Sequence, residues 1–164
     1  MAEQTQLPVI EIKRIKELSF QIREDLLTDP SKSIKIEIGR DLSFALEPGL
    51  VSLTLRFYYH YAEQTHPLLV DIEVQNVFEI PNLERFIFNG AELRLPPMTI
   101  STIVGLSISH ARALLAKELS GTVIQDHLPF IVDPTEVAMH FFPRMFEAES
   151  AQTPSEPVRF ATKQ

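Results

Sequence analysis

Four stretches of the chain alternate apolar and polar residues with the period of two that is typical of β-strands. They are residues 9–22, 34–46, 51–61 and 67–80. The alternation of the first stretch slips between Arg14 and Glu17, which predicts a bulge there. In the second stretch, Arg40 is the single charged residue in an otherwise apolar row. Four successive strands, each with one apolar side, predict an antiparallel sheet that needs a cover on one face.

The second half of the chain predicts helices that can supply this cover. A short helix is predicted over the sequence LERFIF, closed by Asn89-Gly90. A long helix is predicted over residues 99–119, because its apolar residues recur at spacings of three and four. The sequence DPTE has the form of a helix start and predicts a last helix to about residue 146, which Pro143 is expected to bend or end early. The predicted fold class is therefore α+β, with a four-stranded antiparallel sheet covered by a long helix and a shorter C-terminal helix.

The patterned part of the chain is expected to form one domain, which suits a length of 164 residues. Residues 1–8 are predicted to be a flexible N-terminus, residues 9–146 the domain, and residues 147–164 a polar, proline-bearing, disordered tail. The N-terminal sequence has no basic region followed by an apolar one, and the chain has no run of eighteen apolar residues. We therefore expect a cytoplasmic protein without stable membrane insertion.

Composition and motifs argue against several classes of function. The 15 basic and 22 acidic residues leave a net charge of −7, whereas nucleic-acid binding requires basic stripes. The absence of cysteine excludes disulfides, thiolate metal sites and a cysteine nucleophile. The chain also lacks a nucleophile elbow, a phosphate loop, a dinucleotide fingerprint and a zinc-protease motif. We expect no catalytic residues, no metal and no cofactor.

One segment has an uneven distribution of charge. Between Tyr61 and Glu84 every charged residue is acidic, and no lysine or arginine is present. A solvated sheet face explains single acidic residues, whereas a run without counter-charge also suits a docking surface for a basic partner. Both interpretations remain open from the residues alone.

The order of these elements and several short motifs resemble the SecB family of bacterial export chaperones. The motifs are Arg14-Ile15 with Glu17-Leu18-Ser19-Phe20 in the first strand, Glu73-Val74-Gln75 leading to Phe78 and Ile80 in the fourth, and His110-Ala111-Arg112 in the long helix. The resemblance covers about residues 10–145. Two departures indicate a distant member: Asn76-Val77 stands where small residues usually follow, and the proline that precedes the Ala-Arg step is absent.

The resemblance implies an ATP-independent holdase that assembles as a dimer of dimers, a homotetramer. Such a protein wraps unfolded preproteins in apolar grooves and delivers them to the SecA motor. By position, the residues implied for the groove are Ile34, Ile36, Ile38, Val70, Ile72, Val74, Phe78, Val137 and Phe141. Each of these side chains could equally fill the core of a single chain. The acidic patch that the resemblance implies for SecA maps to Glu17 and Glu73, and Asp71 stands beside it in place of an aliphatic residue, so we expect these three residues to bind the partner.

The sequence therefore predicts a cytoplasmic chaperone that binds unfolded polypeptides and does no chemistry. One alternative is a SecB-like chaperone dedicated to a single client, such as an antitoxin. A second alternative, of a different class, is a small ligand-binding or enzymatic α+β cone whose apolar interior holds a metabolite.

Overall fold

A computed structural model describes residues 9–29, 31–129 and 132–147. The predicted flexible N-terminus and nearly all of the predicted tail lie outside these residues. The strands are β1 (Glu11–Ile22), β2 (Ile34–Ala45), β3 (Leu50–Tyr61), β4 (Val70–Glu79), β5 (Ile87–Phe88) and β6 (Glu92–Leu93). The helices are α1 (Pro97–Glu118) and α2 (Pro134–Phe141), and single 3₁₀ turns cover Glu24–Leu26, Leu83–Phe86 and Pro143–Met145.

The four long strands form one antiparallel sheet in the order β1-β4-β3-β2. Two hairpins place β2, β3 and β4 side by side, and β1 pairs with the free side of β4. The predicted antiparallel sheet is confirmed. This order makes β1 and β2 the edge strands, so each of them has one side without a neighbouring strand.

The hydrophobic core lies on one face of this sheet, beneath α1. Alternate residues of the central strands point to this face and are fully buried, among them Leu55 and Phe57 of β3 and Ile72 of β4. Helix α1 covers them with a stripe that includes Ile103 and Ala111. Because burial of each large apolar side chain contributes about 1.5–3 kcal/mol, this layer dominates the stability of the domain.

The slip in the alternation of β1 corresponds to two bulges. The register against β4 shifts between Ile12 and Arg14 and again between Glu17 and Ser19. The prediction placed a single irregularity between these two positions. Each bulge inserts one unpaired residue, so the side chains that follow it change face.

The predicted short helix over LERFIF is wrong. Only Leu83–Phe86 form a 3₁₀ turn, after which the chain makes a small hairpin of β5 and β6. Asn89 and Gly90 are the central residues of the turn from Phe88 to Ala91 in its three-residue connection, with φ angles of 51° and 71°. The Asn-Gly pair favours two successive positive φ angles, and this conformation joins antiparallel strands as readily as it ends a helix.

The last helix begins where the sequence predicts and ends early. The Oδ1 atom of Asp133 accepts a hydrogen bond of 2.8 Å from the backbone N–H of Thr135, which is the expected N-terminal cap. The helix stops at Phe141 instead of continuing to residue 146, because Pro143 cannot donate the next helical hydrogen bond.

Helix α2 lies directly against α1. A Cβ atom on Gly105 would approach the Cβ and Cγ atoms of Pro134 to 3.0 Å, so the glycine permits this close contact. By length and composition alone, α1 could cross a membrane, a property shared by many buried core helices. Half of its most apolar stretch is buried within the protein.

Candidate functional site: an apolar groove along β2

The edge strand β2 leaves an apolar row partly uncovered on the core side of the sheet. This row consists of Ile34, Ile36, Ile38, Leu42 and Phe44, which are all half-buried. Their paired residues on β3, such as Phe57 and Tyr59, are fully buried. The difference arises because α1 lies over β3 and β4, so the cover thins towards the edge of the sheet. We call the space along this row the β2 groove.

The first part of the β2 groove is a cavity of about 640 Å³ between the start of β2 and the loop after α1. Ile34, Ile36 and Ile38 form one wall, and Leu128 and Val132 contribute to the other. The loop is anchored to the core by the hydroxyl of Tyr59, which donates a 2.7 Å hydrogen bond to the carbonyl of His127. Burial raises the pKa of Tyr59, which therefore remains a donor across the physiological range.

The second part of the β2 groove is a cavity of about 590 Å³ between the end of β2, the β5–β6 hairpin and the end of α2. Its apolar lining comes from Leu42, Phe44, Leu93, Phe141, Phe142 and Met145. The two cavities together follow β2 over most of its length. Residues of an extended strand advance by about 3.3 Å each, so the row from Ile34 to Phe44 spans about 33 Å.

Arg40 stands between the two cavities, on the same face as the apolar row. Its Nε and Nη2 atoms donate hydrogen bonds of 3.0 and 2.8 Å to the carbonyl of Phe141, the last residue of α2. Its guanidinium carbon lies 4.9 Å from the ring centre of Phe141 and 5.7 Å from that of Phe142. Arg40 thus caps the C-terminus of α2, where a cation is favoured, and joins the helix to the edge strand.

The structure brings together only part of the predicted groove set. Ile34, Ile36 and Ile38 line the first cavity, and Phe141 lines the second. Val137 is half-buried against the core on α2 and lines neither cavity.

The four predicted groove residues of β4 must be corrected to core positions. The side chains of Val70, Ile72, Val74 and Phe78 are at most 1% exposed in the single chain. Their strand is central in the sheet and lies under α1, so they have no surface on which a client could rest. Alternation indicates that one side of a strand is apolar, but it does not indicate how well that side is covered.

The predicted acidic patch is divided by the sheet. Glu17 is paired with Val74 and therefore lies on the core side, beside Lys117 and Glu118 at the end of α1. Burial, followed by the charge of Glu118, raises the pKa of Glu17. Asp71 and Glu73 lie on the opposite face of the sheet. Residues paired across two strands share a face, so Glu17 does not join the other two acids.

Asp71 also has a counter-charge that the local sequence does not contain. The guanidinium of Arg56 on β3 makes a bidentate ion pair with its carboxylate, with Nε 2.7 Å from Oδ1. Farther along β4, Lys13 of β1 lies 2.7 Å from the carboxylate of Glu79. Neighbouring strands therefore neutralise part of the segment that is purely acidic along the chain, which favours the interpretation as a solvated face.

Several residues of the groove were not among the predicted site residues. Leu42 and Phe44 share the alternation of Ile34 and could have been found from it, and Arg40 was visible as the charge that interrupts this row. Phe142 and Met145 have no such signal, because the helix ends before them. Within residues 9–29, 31–129 and 132–147, no three histidine, aspartate or glutamate side chains come together in a way that could hold a metal.

Comparison with known proteins supports the fold independently of these motifs. No protein-family model matches the chain, and no curated protein matches it. Among solved structures, it is similar to Rv1957, a SecB-like chaperone of Mycobacterium tuberculosis in complex with a ChAD peptide from the HigA1 antitoxin. The similarity covers 75% of this chain and 89% of that chain, with a TM-score of 0.51 and 12% sequence identity. The chain therefore has the SecB-like fold, as its motifs predicted.

Proposed function

We propose that this chain is a molecular chaperone, not an enzyme, and that it holds non-native polypeptide segments in the β2 groove. The observation that carries the proposal is the half-buried apolar row along an edge strand, with a cavity on either side of Arg40. A bound segment buries its apolar side chains there without needing one particular sequence. The edge strand offers additional hydrogen bonds from its unpaired backbone groups. The SecB-like fold supports this proposal.

Two observations favour one dedicated client over general delivery of preproteins to SecA. The similar M. tuberculosis chaperone is bound to a peptide from an antitoxin. The acidic residues that would bind SecA lie on opposite faces of the sheet here, and Asp71 is paired with Arg56. A single client, such as an antitoxin, is therefore the narrower form of the proposal, and export through SecA is the less supported one.

We also propose that the chain assembles as a homotetramer in the cytoplasm. On the edge strand β1, the side chains of Ile12, Ile15 and Leu18 are 42–43% exposed, which is unusual for large apolar residues so close together. A second copy of the chain would cover them and remove the free edge of the sheet. Four chains of 18.7 kDa give a native mass of about 75 kDa.

An aggregation assay with purified protein tests the client range. The candidate client is the product of the adjacent gene, compared with several unrelated proteins diluted from denaturant. We expect strong suppression of aggregation for the candidate and weak suppression for the others. Equal protection of all proteins would favour the general holdase. Protection of none, together with a small molecule retained in native mass spectrometry, would contradict the chaperone proposal.

A matched pair of variants on β2 tests the site itself. Ile36→Asn places an amide in the first cavity, whereas Ser43→Asn places the same amide on the exposed, opposite face of the same strand. We expect Ile36→Asn to raise the dissociation constant of the client about tenfold, or about 1.4 kcal/mol, and Ser43→Asn to leave it unchanged. Equal effects of both changes would place the client elsewhere.

A further inference from the structure

Arg40 makes no ion pair with a carboxylate of the described residues, in contrast to the arginines that stabilise other parts of the domain. Among the residues that the structure describes, four arginines have a carboxylate oxygen within 4.0 Å of the guanidinium: Arg23, Arg56, Arg94 and Arg144. No carboxylate of the described residues lies within this distance of Arg40, although it lines an apolar groove. Its positive charge is held there by a neutral carbonyl and two aromatic rings.

The guanidinium of Arg40 keeps most of its capacity to donate hydrogen bonds. A guanidinium has five N–H groups in a planar fork, and two of them suffice for the bonds to the Phe141 carbonyl. The residue is exposed, so the remaining donors are accessible from the groove. A carboxylate accepts such donors in short, charge-assisted bonds, which become stronger when the bound segment covers the guanidinium and excludes water.

The carboxylates nearest along the groove do not fill this role. Glu92, which lines the second cavity, is already shared by Arg94 at 3.1 Å and Arg144 at 3.7 Å. Asp41 also borders the second cavity, but it follows Arg40 directly and is paired with Thr54, so its side chain belongs to the opposite face of the sheet. The charge of Arg40 is therefore available to a bound molecule.

The position of Arg40 within β2 defines where a matching carboxylate must lie. Ile38 and Leu42, two residues before and after it, are on the same face and belong to the first and second cavities. A segment that pairs with this edge as an added strand places the residue opposite Arg40 on that face too. Its neighbours two positions away then lie against the two apolar cavities.

We propose that the β2 groove selects a polypeptide segment with the pattern apolar-x-acidic-x-apolar, and that Arg40 determines this specificity by binding the central carboxylate. This inference rests on the proposed function, because it names the class of segment that the same groove holds. It assigns Arg40 a role in choosing the client, in addition to its contact with the end of α2.

Binding of fluorescently labelled peptides to the full chain tests this inference. The peptides have about eleven residues, enough to follow the apolar row, with apolar residues two positions on either side of a central Glu, Gln or Lys. A fourth peptide has the Glu moved by one position. For the wild-type protein we expect the central Glu to bind about tenfold more tightly than Gln, with Lys weaker still and the displaced Glu no better than Gln.

Arg40→Met then separates specificity from groove integrity. We expect this variant to bind the Glu and Gln peptides equally, because the methionine keeps apolar bulk but no charge. The affinity for the Gln peptide reports whether the groove is still formed after α2 loses its contact with Arg40. Arg56→Gln, which changes a paired arginine on the opposite face of the sheet, serves as control and should keep the preference for Glu.

The outcomes distinguish the two proposals. If wild-type protein binds the Glu, Gln and Lys peptides equally well, the acidic preference is wrong and the chaperone proposal stands. A preference for Glu that persists in Arg40→Met would contradict the role of Arg40. If no peptide binds but the client is still protected from aggregation, the inference fails and the chaperone proposal survives; if neither occurs, both fail.

Discussion

The two edge strands of the sheet, β1 and β2, both leave apolar side chains uncovered, but in different forms. β2 pairs with β3 from Ile34 to Ala45 without any shift of register, so its apolar residues keep to one face and line cavities. β1 pairs with β4 through two bulges. Its residues Ile12, Ile15 and Leu18 are 42–43% exposed among charged neighbours such as Lys13 and Arg14.

The first bulge of β1 explains how two exposed isoleucines come to share one face. Ile12 and Ile15 are three residues apart and would lie on opposite faces of a regular strand. The extra residue between Ile12 and Arg14 restores them to one face, where they pair with Phe78 and Asn76. An irregular strand thus presents a broad apolar strip, whereas the regular one forms a groove.

This difference suggests two kinds of partner for the two edges. A groove lined on both sides accommodates one extended segment, which fits client binding on β2. The exposed strip of β1 lines neither of these cavities, and an exposed apolar strip is better covered by another folded chain. Changes on β1 are therefore expected to affect assembly, and changes on β2 to affect client binding.

The largest expected effect comes from charging the β1 strip. We expect Ile12→Asp combined with Ile15→Asp to raise the dissociation constant of the assembly roughly a hundredfold, because two carboxylates must then be buried on association. Analytical ultracentrifugation should show the native mass falling below that of the wild-type protein. Because both residues are exposed in the single chain, circular dichroism should be unchanged.

If this double variant keeps its native mass, β1 does not take part in assembly. If Ile36→Asn on β2 lowers the mass as strongly, the two edges serve the same interface. A loss of client binding in the β1 variant without any change in mass would place the client on β1.

A smaller effect is expected where α2 supports the second cavity. Asp133→Ala removes the hydrogen bond to Thr135 and should lower the free energy of unfolding by about 1 kcal/mol. Urea unfolding measures this change, and Asp126→Ala, an exposed acid of the preceding loop, is the control. Equal destabilisation by the two changes would mean that the Asp133 cap adds no more to the free energy of unfolding than an ordinary exposed acid.

The smallest expected effect concerns Glu17 at the other edge. Burial and the neighbouring Glu118 raise its pKa above the ordinary value of 4.5, so the ionised form is less favourable in the folded protein than in the unfolded chain. Its cost to stability develops as the pH rises through 4.5 towards the raised folded-state pKa and is complete above it. Glu17→Gln should therefore be slightly more stable than wild type at pH 7.

The gain from Glu17→Gln should disappear as the pH falls below 4.5, where the wild-type carboxyl is protonated in both states. Urea midpoints measured across this range test the prediction, and Glu73→Gln on the opposite face controls for the change in net charge. A gain that is the same at every pH would contradict it.

Much of the fold could be predicted because local patterns and local chemistry decide it. The alternation along β3 and the spacing of apolar residues in α1 each require one type of element. Asp133 begins α2 as its sequence indicates. At Asn89-Gly90 local chemistry is not sufficient, because the same backbone conformation can end a helix or form the turn of a hairpin. The pairing of β5 with β6 decides between these two structures.

The candidate site was only half predictable, because it depends on pairings between distant residues. The counter-charge of Asp71 is Arg56, fifteen residues away along the chain and on the next strand. Glu17 and Glu73 are both acids of the resembling motifs, yet the register of β1 against β4 separates them across the sheet. No count of charges along the sequence contains this information.

Ile36 and Ile72 show which structural features follow from the sequence pattern and which depend on tertiary structure. Both belong to alternating strands, and the alternation is enough to predict that each faces an apolar layer. The sequence patterns also predict the antiparallel sheet and the long helix that covers it. Only the order β1-β4-β3-β2 and the placement of α1 decided that Ile72 is sealed in the core while Ile36 lines an open groove. The physical reason is that burial depends on what covers a strand from the sides and above, which the period of two along the strand does not encode.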